Sequence, residues 1–271
     1  MSLGLVTLMV VASLGGLAVP GMHRDNPFVT AGWQANEAVT LVLAIPALVW
    51  ALTAAMHGSV RGSLVWMGLV WFTMYNYAFY LFGAAYNRLF LVYALLFTLS
   101  LATLVFGMIS ANAELNRRHV SHKGPGRWVA LYMLLVGLCL AGLHLSMAVT
   151  YLLGGELPRI VVASGQPANI VAALDLSMVV PVYLLGAWWL WRGQRWGIVL
   201  GVIANVWGAA CMAVVSAGTI WVVRSGVAYD LSPLALWVAI GVGCLVASGA
   251  LLLSIKPGEG SPPDASMVVG I

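Results

Sequence analysis

Charge is what this sequence has least of. Only 7% of its 271 residues are Asp, Glu, Lys or Arg, where a soluble domain carries roughly 25%. Lysine is scarcer still, with Lys123 and Lys256 alone. Neither lies inside an apolar run, which excludes an intramembrane Schiff base of the retinal kind. Cys139, Cys211 and Cys244 lack the paired spacing of a metal or redox motif and read as small packing residues. There is no HExxH, no GxSxG turn and no Walker phosphate loop, so zinc peptidases, acyl hydrolases and nucleotide-driven pumps lack their minimum equipment. His144 is the one histidine well inside an apolar run, too few for a haem held by two histidines. His119 and His122, in RRHVSHKG, read as a solvated basic loop rather than a metal pair. No cofactor is expected.

What the chain has is apolar length. Hydrophobic residues make up 62% and the mean hydropathy is +0.99. Runs near the ~20 residues that cross a hydrocarbon core fall at about 3–20, 38–56, 63–83, 88–110, 128–153, 169–191, 197–222 and 234–255. They do not alternate as barrel strands must. The first has no basic residue before it and leads through Pro20 and Gly21 into a charged loop, so it reads as a helix rather than a secretory signal. The expectation is an all-α membrane protein, a bundle of about eight transmembrane helices. Residues 1–255 would form a single polytopic domain, with 256–271 a short flexible cytoplasmic tail rich in Gly and Pro.

The net charge of +4 is too small to suggest nucleic acid, and its use is orientation. Eight crossings put Arg61, the Arg117, Arg118, Lys123 and Arg127 loop, Arg192, Arg195 and Lys256 on one side. Arg24, Arg88, Arg159 and Arg224 fall on the other. The bias predicts both termini in the cytoplasm. Trp66, Trp128, Trp188, Trp189, Trp191 and Trp196 at one boundary and Trp33, Trp221 and Trp237 at the other read as interfacial anchors. Short loops, arginine in excess of lysine and no glycosylation sequon suggest a bacterial-type inner membrane.

A weak internal symmetry suggests two parallel four-helix repeats, 1–110 and 128–255. QAN at 34–36 and QPAN at 166–169 each precede an acid and a proline, Glu37 with Pro46 and Asp175 with Pro181. The next runs pair Gly68 with Asn76 and Gly197 with Asn205. The unequal acid spacing favours chance matching in low-complexity sequence.

Asp175 is the most informative residue. Its helix should enter the membrane near Val171, placing the carboxylate ~6 Å deep at 1.5 Å per residue, and a carboxylate there should face protein or a watery cavity. Pro181, six residues on, leaves the Ser177 carbonyl without its helical donor and should bend the helix beneath it. Asn76 and Tyr80 share a face of the third run, and Arg88 opens the fourth. His144 interrupts a small-residue seam on the fifth, and Glu37 stands at the mouth of the second. Glu37, Asn76, Tyr80, Arg88, His144 and Asp175 therefore form the expected ligand or ion site in an outward-facing cavity. Arg88 would be the electrostatic partner of Asp175, and no metal is expected.

The leading reading is binding or transport of a small solute or proton, because a carboxylate and a histidine taken from water can titrate near neutrality. One rival is a non-catalytic subunit or assembly factor whose partners are other membrane proteins or further copies of the chain. The other is a lipid-modifying enzyme using the same acid and histidine.

Overall fold

A computed structural model describes residues 1–117, 126–227 and 230–255. Arg118, His119, His122, Lys123, Lys256 and the tail to residue 271 lie outside the described residues. The structure is 84% helical, with no strand among those residues.

The helices start where the local chemistry says they should. Asn26 accepts a hydrogen bond from the Val29 N–H (2.9 Å) ahead of Pro27, so α2 (Pro27–Val39) begins there and not near residue 38. Hydropathy misses this turn because FVTAGWQANE is mixed in polarity. Helix α2 continues through a π-helical turn, Thr40–Ala44, into α3 (Ile45–Met56). Ser59 caps α4 (Val60–Gly83), which α5 (Phe90–Arg117) follows, while α1 (Ser2–Ala18) precedes α2. After α6 (Gly126–Leu152) comes a short helix absent from the sequence expectation, α7 (Arg159–Ser164), closed by Gly165 at φ 63°. Asn169 caps α8 (Ile170–Leu174), which passes through a second π turn, Asp175–Val179, into α9 (Val180–Trp191). Helices α10 (Arg195–Arg224) and α11 (Pro233–Ser254) complete the chain. Just before α11, Asp230 accepts bonds from the Ser232 N–H (2.8 Å) and hydroxyl (2.9 Å), which hold its carboxyl below the usual carboxylate range.

Six helical stretches are long and apolar enough to span a bilayer: Pro27–Met56, Phe90–Ala111, Gly126–Leu152, Ile170–Trp191, Arg195–Arg224 and Pro233–Ser254. The chain is thus an integral membrane protein by length and composition. Of the two other expected spans, α1 is 17 residues long, and α4 has 24 residues, 15 of them buried. Helix α4 carries Asn76 and its tyrosines into the core, which lowers its hydropathy without making it a surface helix.

Helices α4 and α10 pack at the centre. In α10, 61% of the most apolar window is buried, against 28% in α5, α6 and α11. A Cβ on Gly68 would stand 2.6 Å from Val206 and 3.1 Å from the Ile203 carbonyl, so only glycine allows this approach. Trp71 and Trp207 stack across the same contact at 5.1 Å. Trp33 and Trp66, expected as interfacial anchors, are core residues, 2% and 4% exposed. Trp128, Trp188 and Trp191 are exposed.

The two π turns share their surroundings. Each ends two residues before a proline, Pro46 or Pro181. Each helix then closes in a tight turn on a positive-φ glycine, Gly58 (78°) or Gly193 (67°), 135 positions apart (193 − 58 = 135). The bonds His57 N to Thr53 O, Gly58 N to Ala55 O and Ser59 N to Ala54 O recur at that offset. They become Arg192 N to Trp188 O, Gly193 N to Leu190 O and Gln194 N to Trp189 O. Gly62 packs on Ala54 and Ala55, and Gly197 on Trp189 and Leu190. Geometry therefore matches Gly62, not Gly68, with Gly197. Gly68 instead meets Ile203, 135 positions further along the chain, across the α4 and α10 contact.

Candidate functional site

Four consecutive loop residues between α1 and α2 point in four directions. His23 turns inward, within 3.0 Å of Glu37, with both side chains nearly inaccessible. Arg24 faces out. Asp25 accepts from the Trp33 indole N–H (3.0 Å) and the Ala85 N–H (3.0 Å), tying the loop to the end of α4. Asn26 caps α2 and donates to the Ala163 carbonyl of α7 (2.9 Å). The loop is thereby held at three points and carries one histidine into the core.

Glu37 is ten residues into its helix and 3% exposed, not at the mouth as expected. Its carboxylate lies directly on Gly16 of α1, where any Cβ would displace it. Aromatic rings close the surroundings. Tyr80 stacks on Trp33 (4.3 Å) and lies 4.9 Å from the Tyr93 ring, and its hydroxyl donates to the Trp33 carbonyl (3.3 Å). His23 Nε2 and Glu37 Oε1 stand at ion-pair distance. Nδ1 of the ring and Oε2 of the carboxylate are buried without partners among the described residues.

The second cluster is fully aligned. Asp175 opens its π turn, 6% exposed, and accepts from the Tyr75 hydroxyl on α4 (2.7 Å) at Oδ1. His144 Nε2 on α6 lies 2.9 Å from Oδ2. A carboxylate only accepts, so this Nε2 carries its proton and donates. Nδ1 of the same ring is buried without a partner. Gly137, two turns away on α6, lets the helix close on Tyr183 and Leu184 of α9. Below the carboxylate, Ser177 donates to the Ala173 carbonyl (2.6 Å). The bend expected at Pro181 is thus delivered as a π turn, in which Val180 N–H reaches back to Asp175 O.

Helix α4 lies between the clusters. Tyr75 belongs to Asp175, while its neighbour Asn76 accepts from the Asn36 amide (2.6 Å), one residue before Glu37. Of the six expected residues, Asp175 and His144 come together, Glu37 and Tyr80 come together elsewhere, and Asn76 joins α4 to α2. Arg88 is not the partner of Asp175. It lies exposed beyond the end of α4, at a cavity shared with Arg24. Both Asp175 oxygens are already taken by Tyr75 and His144, which the sequence could not order.

Sequence reasoning missed His23, Tyr75 and Asn36. Tyr75 is next to Asn76 and so about 100° away around the helix, which removed it from the face chosen for Asn76 and Tyr80. The Asn205 side chain donates within its own helix, to the Gly201 carbonyl (2.7 Å). No group of three or more His, Cys, Asp and Glu side chains suited to a metal occurs among the described residues.

Set against family models, curated proteins and solved structures, the chain matches none.

Proposed function

We propose that this membrane protein binds or passes a small solute in step with a proton held at the Asp175 and His144 pair. The observation that carries the reading is a carboxylate inside a spanning helix with both oxygens occupied, facing a histidine whose second nitrogen is unclaimed. With the imidazole neutral, the pair has a net charge of −1. A proton on Nδ1 makes it an ion pair of net zero charge. Groups of all three neighbouring helices face the carboxylate: His144 of α6, Tyr75 of α4 and the Cys211 thiol of α10. The π turn that holds Asp175 supports the reading, since such turns are frequent at functional sites and offer a helix a second register.

The matched geometry at an offset of 135 supports two tandem copies, α1–α5 and α6–α11, meeting at α4 and α10. Each copy would contribute four crossings, making eight with α1 and α4 counted, and each would own one acid and histidine pair. The site would then belong to the interface of the halves, the usual place for function in parallel-repeat transporters. The arginine distribution supports cytoplasmic termini in a bacterial-type inner membrane.

Infrared difference spectra of the protein in lipid vesicles, between neutral and mildly acidic buffer, test the proton. Wild type should show a histidine or carboxyl signal that both Asp175→Asn and His144→Gln remove. Vesicles loaded with a pH-sensitive dye should acidify faster with wild type than with either variant. Spectra unchanged by both substitutions would overturn the reading. Wild-type vesicles no leakier than those of Asp175→Asn, with stability alone lowered, would favour the structural subunit.

A further inference from the structure

We infer that the cavity between the α1–α2 and α4–α5 loops is a binding site for the phosphate of an anionic phospholipid headgroup. The cavity has a volume of about 430 Å³ and opens at the end of the bundle that holds Asp25. Its charged lining is of one sign, Arg24 from one loop and Arg88 from the other, and neither guanidinium has an ion pair among the described residues. Asp25, next in sequence to Arg24, gives one oxygen to the Trp33 indole and the other to the Ala85 N–H, so both its oxygens are already engaged. Two planar forks of N–H donors without a counter-charge fit a phosphate, which both can engage bidentately.

The rest of the lining says which kind of phosphate. Tyr86 and Leu91 are 73% and 76% exposed, and Val19 at the end of α1 is 39% exposed. Leu91 is the second residue of the spanning helix α5, so this apolar rim lies where hydrocarbon begins. A free anion would gain nothing from such side chains. A headgroup seated on the arginines would carry its acyl chains down along Leu91 and Phe90, with the ring of Tyr86 at the headgroup level. Two contacts hold the site's walls in place: Gly15 of α1 packs on Leu89, and the Asp25 to Ala85 bond fixes the two loops together. It is independent of the Asp175 pair.

The probe is phosphatidylglycerol in nanodiscs also containing phosphatidylcholine, with retained lipid read by native mass spectrometry after ejection of the protein. Wild type should retain phosphatidylglycerol above its bulk fraction. Arg24→Gln with Arg88→Gln should lower that enrichment about tenfold, each basic group contributing modestly at an anionic surface. Arg159→Gln with Arg224→Gln, removing two exposed arginines at the same end, should leave it unchanged. Unaltered thermal unfolding of both double variants shows that they are folded. Equal enrichment in wild type and the Arg24 and Arg88 variant would overturn the proposal. Inorganic phosphate that stabilises wild type through these arginines, without lipid enrichment, would also overturn it in favour of a free anion.

Discussion

Asp175 spends both its oxygens, one on Tyr75 and one on His144, and this makes its neighbours' worth predictable. Tyr75→Phe removes one donor and leaves Oδ1 buried. Hydrogen bonds between membrane helices are worth on average ~0.6 kcal/mol and at most ~1.7, so the variant should lose about 1 kcal/mol of stability, measured by reversible unfolding in bicelles. The infrared signal assigned to the pair should move in frequency but persist, because the carboxylate and imidazole remain. A second prediction concerns the other cluster. Gly16→Ala drives a methyl group into the Glu37 carboxylate and should cost about 1–3 kcal/mol. Gly4→Ala in the same helix meets open space and should be neutral or stabilising. Equal effects at the two positions would mean that Glu37 does not lie against α1. That Asp175 and His144 would each need a partner was legible because each is the lone ionisable residue in an apolar run. The role of Gly16 was not, since nothing in GLAVP says which helix will lean on it.

At the scale of the element, the two hairpins that follow the π turns have the same requirements. Gly58 and Gly193 occupy left-handed backbone, with no neighbour near a would-be Cβ. Alanine at either should cost about 1–2 kcal/mol from backbone strain alone. Gly62 and Gly197 are different, for a methyl at either meets the backbone of the preceding helix. Alanine there should be the more damaging change in each hairpin, and the order should be the same in both, read from thermal unfolding of the four single variants. A different order would count against the equivalence of the hairpins. Helix starts at Asn26–Pro27, Ser59 and Asn169 could be read from capping chemistry, but the π turns could not. A proline predicts that a helix must yield nearby, while whether it bends or takes an extra residue into a wider turn depends on what packs against it.

For the molecule as a whole, the contact of α4 with α10 joins what we propose are two copies. When residues 1–120 and 121–271 are produced as separate chains in the same cells, they should co-purify, and Gly68→Leu should abolish this by filling the space taken by Ile203 and Val206. Halves that purify together regardless of Gly68→Leu would show that the contact does not hold them. Eight crossings make a further prediction. With the native cysteines replaced, cysteines at Gly58 and Gly193 should be labelled from one side of the membrane by an impermeant reagent, and those at Gly21 and Gly226 from the other. All four labelled from one side would exclude this topology.

Composition and periodicity by themselves determined that this chain is helical and lives in a membrane, since 62% hydrophobic residues in long unbroken runs admit no other solvent. They also singled out Asp175, His144 and Glu37, because an ionisable residue in such a run is costly wherever it points. Only the tertiary structure decided the pairing. Arg88 was the nearest cation in the expected topology, yet His144 reaches Asp175 and Arg88 does not, because a helix face is chosen by close packing at glycines such as Gly68 and Gly137. The inward turn of His23 depends on Asp25 and Asn26 anchoring its loop to residues as distant in sequence as Ala85 and Ala163. A single sequence shows which groups are expensive to bury, but the partner that makes burial tolerable comes from another helix, and its approach is set by the shape of the whole bundle.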